Sequence, residues 1–199
     1  MPVKSAVPNP SQRQQELLEA AYAYALRSGL ADLSLRPLSA AIQSSPRVLL
    51  YLFGSKDGLI RALLARARSD ELALIQRIHG AADGPGGLPS VAHEIWRWLS
   101  DDRHRGLLTL WVESYARSLS DPAGPWAGFA RDTVADWLTL LADAQPAEHR
   151  HTDAGLTQRT LVLAVLRGAL LDLLATGDVA RTTAAVHRVA ATGTRPKLA

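Results

Sequence analysis

Apolar residues recur at helical spacing almost from the start of the chain. Between Ser11 and Ser28, Leu18, Ala21, Tyr22 and Ala25 fall on one face. Gly29 stands where a C-terminal cap belongs, so the pattern predicts a first helix over 11–28. Ser34 precedes a short apolar run, Leu35 to Ile42, and Pro37 lies within its first turn, where a missing N–H costs little. Gln43-Ser44 breaks the run. Ser45-Pro46 opens a third helix, with serine as N-cap and proline at the first helical position, and Gly54 ends it after Phe53. Ser55 caps a long fourth helix over 56–79, marked by Ile60, Leu63, Leu64, Ala67, Leu74, Ile75 and Ile78. Gly80 to Pro89 is rich in glycine and proline and predicts a break. Further helices are predicted at 89–100, 104–120, 125–144, 153–176 and 178–191, with a frayed tail over 192–199. Period-2 alternation bounded by turns is missing throughout, so no sheet is expected.

The fold class predicted is therefore all-α. The 199 residues suffice for a sizeable core, and the absence of cysteine excludes disulfides, thiol nucleophiles and cysteine-ligated metal. The first eleven residues hold three prolines and no signal-peptide core. The most apolar stretch, Leu161 to Leu174, is interrupted by Arg167 and Asp172 and is shorter than the roughly 20 residues of a membrane span. A cytoplasmic protein with no membrane partner is expected.

Charge changes the picture. Residues 1–69 carry nine Lys/Arg against four Asp/Glu, whereas residues 70–199 carry 13 against 15. A basic head on a slightly acidic body points to a polyanion partner. Two short helices joined by a tight turn form a helix-turn-helix, whose second helix is built to enter the major groove. At 100° per residue, Leu49, Leu52 and Phe53 share the core side of that helix, facing Leu38, Ile42 and Leu18. Arg47 and Tyr51 lie opposite, flanked by Val48 and Leu50. Arg47 has the geometry to donate two bonds to guanine, and Leu50 or Val48 to touch a thymine methyl. The Ser34 hydroxyl, Arg36 and Lys56 at a helix N-terminus are expected on phosphates.

The run Ser34-Leu35-Arg36-Pro37-Leu38-Ser39-Ala40-Ala41, followed by Ser45 through Leu59 with its Phe53-Gly54-Ser55-Lys56 element, resembles the N-terminal domain of TetR-family transcriptional regulators. The likeness covers residues 12–66. Arg167 through Asp178 resembles the junction between the eighth and ninth helices of that family. The resemblance implies an N-terminal three-helix helix-turn-helix domain over 1–55 and a larger helical ligand-binding and dimerisation domain over 56–199. It implies a homodimer on a palindromic double-stranded DNA operator, acting as a repressor released by a small-molecule effector, without enzymatic activity or cofactor. It assigns DNA contacts to Ser34, Arg36, Ser45, Pro46, Arg47, Leu50, Tyr51 and Lys56. Three positions depart from the family pattern. Gln43 replaces the usual turn glycine, at a cost of roughly 1 kcal/mol if the backbone is left-handed there. Leu50 replaces the usual tyrosine, with Tyr51 one residue later. Leu52 stands where histidine or tyrosine is common.

In the larger domain, Leu161 to Leu166 is apolar all round and must be covered on more than one face. Gly168 and Ala169 allow close helix approach, and Val179, Thr183, Val186 and Ala190 form a narrower stripe. A two-fold four-helix interface is expected. All five tryptophans, Trp96, Trp98, Trp111, Trp126 and Trp137, lie in this domain. Trp111 and Tyr115 share a helix face. His93, Trp96, Trp111, Tyr115 and Arg167, with Glu113, are the expected effector-site residues, an apolar lining with a few polar groups.

Enzyme motifs fail. His93-Glu94 begins like a zinc-protease helix, but Arg97 stands where the second histidine is required, and Gly84-Pro85-Gly86-Gly87 lacks the Gly-Lys-Ser/Thr ending of a phosphate loop. No metal is expected; His149 and His151 read as solvated. The competing reading is a helical small-molecule-binding or interaction protein that does not read DNA.

Overall fold

The computed structural model describes residues 10–30, 32–81 and 87–192. Among these it contains ten α-helices and no strand, as the periodicity predicts. Residues 82–86 of the expected break, 193–199 of the expected tail and 1–9 of the N-terminal segment lie outside the described residues, as does the Ala190 side chain.

The helices are α1 (Pro10–Ser28), α2 (Leu35–Ala41), α3 (Pro46–Phe53), α4 (Lys56–Ala81), α5 (Gly87–Leu99), α6 (Arg105–Ser120), α7 (Phe129–Asp143), α8 (Ala147–Arg150), α9 (Asp153–Thr176) and α10 (Val179–Thr192), with a 3-10 turn at Asp102–His104. The bounds of α3 and α9 match the sequence expectation, because both start at a working N-cap: Ser45 accepts from Val48 N–H, and Thr152 from Gly155 N–H. Helix α7 starts four residues later than predicted. Successive i+3 turns run to Phe129, and Gly128 at φ 80° stands where the helix begins.

The chain forms two compact units. The described residues up to Ser69, with Thr109–Phe129, make the first; Asp70–Leu108 and the residues from Ala130 make the second. In the first, α1, α2 and α3 pack on one another around Leu17, Ala21, Tyr22, Ala25, Leu38 and Leu49. The buried leucine of α1 is Leu17; Leu18, expected on the core face, is only half-buried. Leu59, Ile60, Leu63, Leu64 and Ala67 from the first half of α4 are buried in this unit. In the second, α10 packs on α9 and α5. Its buried residues include Ile95, Trp96, Leu140, Leu141, Leu163, Leu166 and Leu170. Glu71 is fully buried in the α4 stripe, where Trp137 Nε1 donates to its carboxylate at 2.7 Å. No described helix is long and apolar enough to cross a membrane.

Candidate nucleic-acid interface

The turn between α2 and α3 closes as a paired C-terminal cap. Gln43 N–H donates to the Ala40 carbonyl at 3.3 Å, and Ser44 N–H to the Ser39 carbonyl at 2.8 Å. This six-to-one and five-to-two pairing requires a left-handed residue between the helices, a position usually filled by glycine. Gln43 holds it at φ 52° and is the one described non-glycine residue with positive φ.

The two serine caps differ. Ser34 has the extended backbone of an N-cap but makes no cap hydrogen bond through its side chain. A capping oxygen accepts from the second or third helical N–H. Pro37 is the third residue of α2 and has no N–H to give. The Ser34 hydroxyl therefore remains uncommitted and exposed. Ser45 is half-buried, and its oxygen accepts from Val48 N–H at 3.3 Å.

Helix α3 shows the exposed face expected of it, while on the expected core side Leu52 and Phe53 are only half-buried. Leu49 is buried, and Gln14 Nε2 ties the Leu52 carbonyl to α1 at 2.9 Å. Arg47, Val48 and Leu50 are exposed, and Tyr51 is 81% exposed. Helix α4 starts immediately behind, capped by Ser55, whose oxygen accepts from Gly58 N–H at 2.9 Å. A Cβ at Gly58 would lie 2.0 Å from the Phe53 carbonyl oxygen, so this junction admits only glycine. Seven of the eight assigned residues (Ser34, Arg36, Pro46, Arg47, Leu50, Tyr51 and Lys56) are exposed. Among the described residues, Arg36, Arg47 and Lys56 have no carboxylate partner. The other arginine contacts of this unit are different in kind: Arg66 Nε lies 2.9 Å from Glu19, with its guanidinium over the Tyr22 ring at 4.8 Å.

The expected effector residues are divided between the units. Trp111 and Tyr115 on α6 belong to the first, and His93, Trp96 and Arg167 to the second. On α5, Trp96 is buried and its Nε1 donates to Thr183 Oγ1 at 2.9 Å. The His93 ring meets the His187 ring edge-on at 4.5 Å. Its Nε2 is buried without a hydrogen-bond partner among the described residues. Burial first, and the neighbouring His187 second, push the His93 pKa below its ordinary value, while Glu94 opposes the shift. Glu113 is committed elsewhere: its carboxylate accepts from Leu30 N–H at 2.9 Å. This contact and the buried Glu71 were invisible to periodicity. An isolated acid on a helix reads as a solvated position, and its partner in each case is distant in sequence.

No protein-family model and no curated protein matches the chain. Solved structures do match. The multidrug binding protein EbrR, complexed with imidazole, is 25% identical with TM-score 0.66, covering 95% of this chain and 96% of that one. A transcriptional regulator from Rhodococcus sp. is 20% identical with TM-score 0.70, covering 90% and 94%. A TetR transcription regulator from Haloarcula marismortui is 16% identical with TM-score 0.66, covering 92% and 96%. The chain has the fold of the TetR-family transcriptional regulators.

Proposed function

We propose that this chain, built on the TetR-family fold, is a ligand-responsive transcriptional regulator, a repressor that binds a palindromic operator as a homodimer. Residues 1–55 are its DNA-reading head, and residues 56–199 its effector and dimerisation body. The observation that carries the reading is the exposed set on α2, α3 and the start of α4. Arg36, Lys56 and the Ser34 hydroxyl flank a helix whose outer face is Arg47, Val48, Leu50 and Tyr51, and among the described residues none of the three cations has a carboxylate partner. Phosphate contacts from Ser34, Arg36 and Lys56 would position the head, with Ser45 and Pro46 bringing the helix N-terminus to the backbone. Arg47 would read a guanine.

A stripe on α9 supports the dimer. Leu161, Ala164, Gly168, Leu171 and Ala175 are all exposed in the single chain and fall within an arc of about 80° at helical spacing. Leu161 is 56% and Leu171 52% exposed. Two large apolar residues beside three small ones suit a close, self-complementary helix pair. The effector response belongs to the body, whose α5, α6 and α9 carry His93, Trp96, Trp111, Tyr115 and Arg167. An effector that favours one arrangement of the body would change the separation of the two recognition helices, which must match half-sites about 34 Å apart. An effector with equal affinity for both arrangements would release nothing.

The test is DNA binding as a function of salt. Log affinity should fall linearly with log salt, and Arg36→Gln should lower the slope by about one. No retention on DNA at low salt would favour the reading of a helical binding protein that does not read DNA.

A further inference from the structure

The second unit contains an open cleft of about 460 Å³ between α4, the C-terminal half of α5 and the 3-10 turn. None of His93, Trp96, Trp111, Tyr115 and Arg167 lines it. Its volume is in the range of small-ligand sites. Leu74 and Ile78, buried residues of α4, supply an apolar floor. One wall is aromatic: the Trp98 and His104 rings stack at 3.9 Å with 15° between planes. His104 is locked in that position, because its Nδ1 lies 2.9 Å from the Trp98 carbonyl oxygen, which only accepts.

The charges around the rim do not cancel. Glu94 and Asp101 face Arg77, Arg97 and Arg103. Each carboxylate is already held by a near neighbour in sequence. Arg97 pairs with Glu94 one helical turn back. Arg103 Nε contacts both Asp101 oxygens at 3.0 Å, and the side-chain bond holds that carboxyl well below the usual carboxylate range. Arg77 is exposed on the rim and has no carboxylate partner among the described residues. The cleft thus offers one unmatched cation, a flat aromatic wall and an apolar floor.

We propose that this cleft binds a planar aromatic monoanion, an aryl carboxylate, with its carboxylate on Arg77 and its ring against Trp98 and the floor of Leu74 and Ile78. A guanidinium presents two parallel donors that match a carboxylate. The indole supplies area for a flat ring. A cation would meet net positive charge, since both acids are occupied. The inference rests on the regulator reading only for its biological use; the site itself is tested without DNA.

Titration calorimetry of the full chain with 2-naphthoate, 2-naphthol and 2-naphthylmethylammonium tests it. The anion should bind at one site per chain and more tightly than the neutral or cationic analogue. Arg77→Gln should weaken the anion about tenfold while leaving the neutral analogue unchanged. Arg77→Lys should retain part of the affinity. Failure of 2-naphthoate to bind at millimolar concentration, equal binding by Arg77→Gln, or preference for the cation would each overturn the proposal. Release of DNA by the bound anion is a separate measurement: binding without release would keep the site and remove its regulatory role.

Discussion

The Glu113 carboxylate on α6 accepts a hydrogen bond from the Leu30 backbone N–H at 2.9 Å, across 83 residues of sequence. The adjoining Gly29 lies at φ 75°, and a Cβ there would sit 2.7 Å from the same carboxylate. Glu113 therefore holds the loop between α1 and α2 in place through a backbone shape that only glycine takes without strain. Arg117, one turn further along α6, lies 4.0 Å from Asp32 of the same loop, and the Glu113 bond to Leu30 is the shorter of the two. In a regulator, motion of α6 would reach the DNA-reading helices through this contact. Glu113→Ala should destabilise the fold by about 1–3 kcal/mol, because a charged acceptor is lost and Leu30 N–H is stranded. Glu113→Gln should cost less. Denaturant midpoints check both; unchanged midpoints would mean that the loop is held by its other contacts.

Gln43 pays for its left-handed backbone with no visible return, since its side chain is exposed. Gln43→Gly should stabilise the protein by up to about 1 kcal/mol, the strain of roughly 1–2 kcal/mol being offset in part by the freer unfolded chain. DNA affinity should be unchanged or improved. A loss of stability would show that the glutamine side chain contributes more than its backbone costs.

The serine caps should separate binding from folding. Ser45→Ala removes a working cap and should cost about 1 kcal/mol of stability. Ser34→Ala removes a hydroxyl that caps nothing, so stability should hold within about 0.5 kcal/mol while operator affinity falls several-fold. Thermal melts and fluorescence anisotropy on the same samples distinguish the two.

The exposed stripe on α9 predicts the oligomeric state. Leu161→Glu with Leu171→Glu should convert a dimer to a monomer in sedimentation at micromolar concentration, with helical content retained. A wild-type monomer would contradict the interface.

The His93–His187 contact predicts a pH dependence. The folded His93 pKa lies below the ordinary 6.5, so between those values the unfolded chain binds more protons. Stability should rise as pH increases through about 6.5, and should be lost as pH falls below it. His93→Gln should flatten stability over pH 5–7. An equally steep profile in the variant would assign the effect to other groups.

Much of the fold is legible along the chain because caps and periodicity agree. Ser45-Pro46 and Thr152-Asp153 start helices at the positions their chemistry demands, and the apolar stripe of α4 is buried as spaced except at Ile75, which is half-buried. Period alone favours Leu18, which at 100° per residue falls between Ala25 and Tyr22, whereas the helix buries Leu17 on the Ala21 side. The four-residue α8 and the 3-10 turn are too short for any period to register. On the candidate interface, the exposure of Arg47 and Tyr51 follows from helical geometry. The idle hydroxyl of Ser34 follows from Pro37 once the helix start is known. The aromatic body is least legible: five tryptophans announce a core or a pocket equally, and only the hydrogen bonds of Trp96 and Trp137 and the stack of Trp98 on His104 distinguish their roles.

The central claim, a dimer that reads DNA through α3, is tested most directly by selecting fragments of host genomic DNA with the purified protein, alongside Arg47→Ala. The wild type should enrich a palindromic site with half-sites one helical turn apart or a multiple of it, and the variant should lose that enrichment while still folding. Equal enrichment by both proteins, or none by the wild type at low salt, would contradict it.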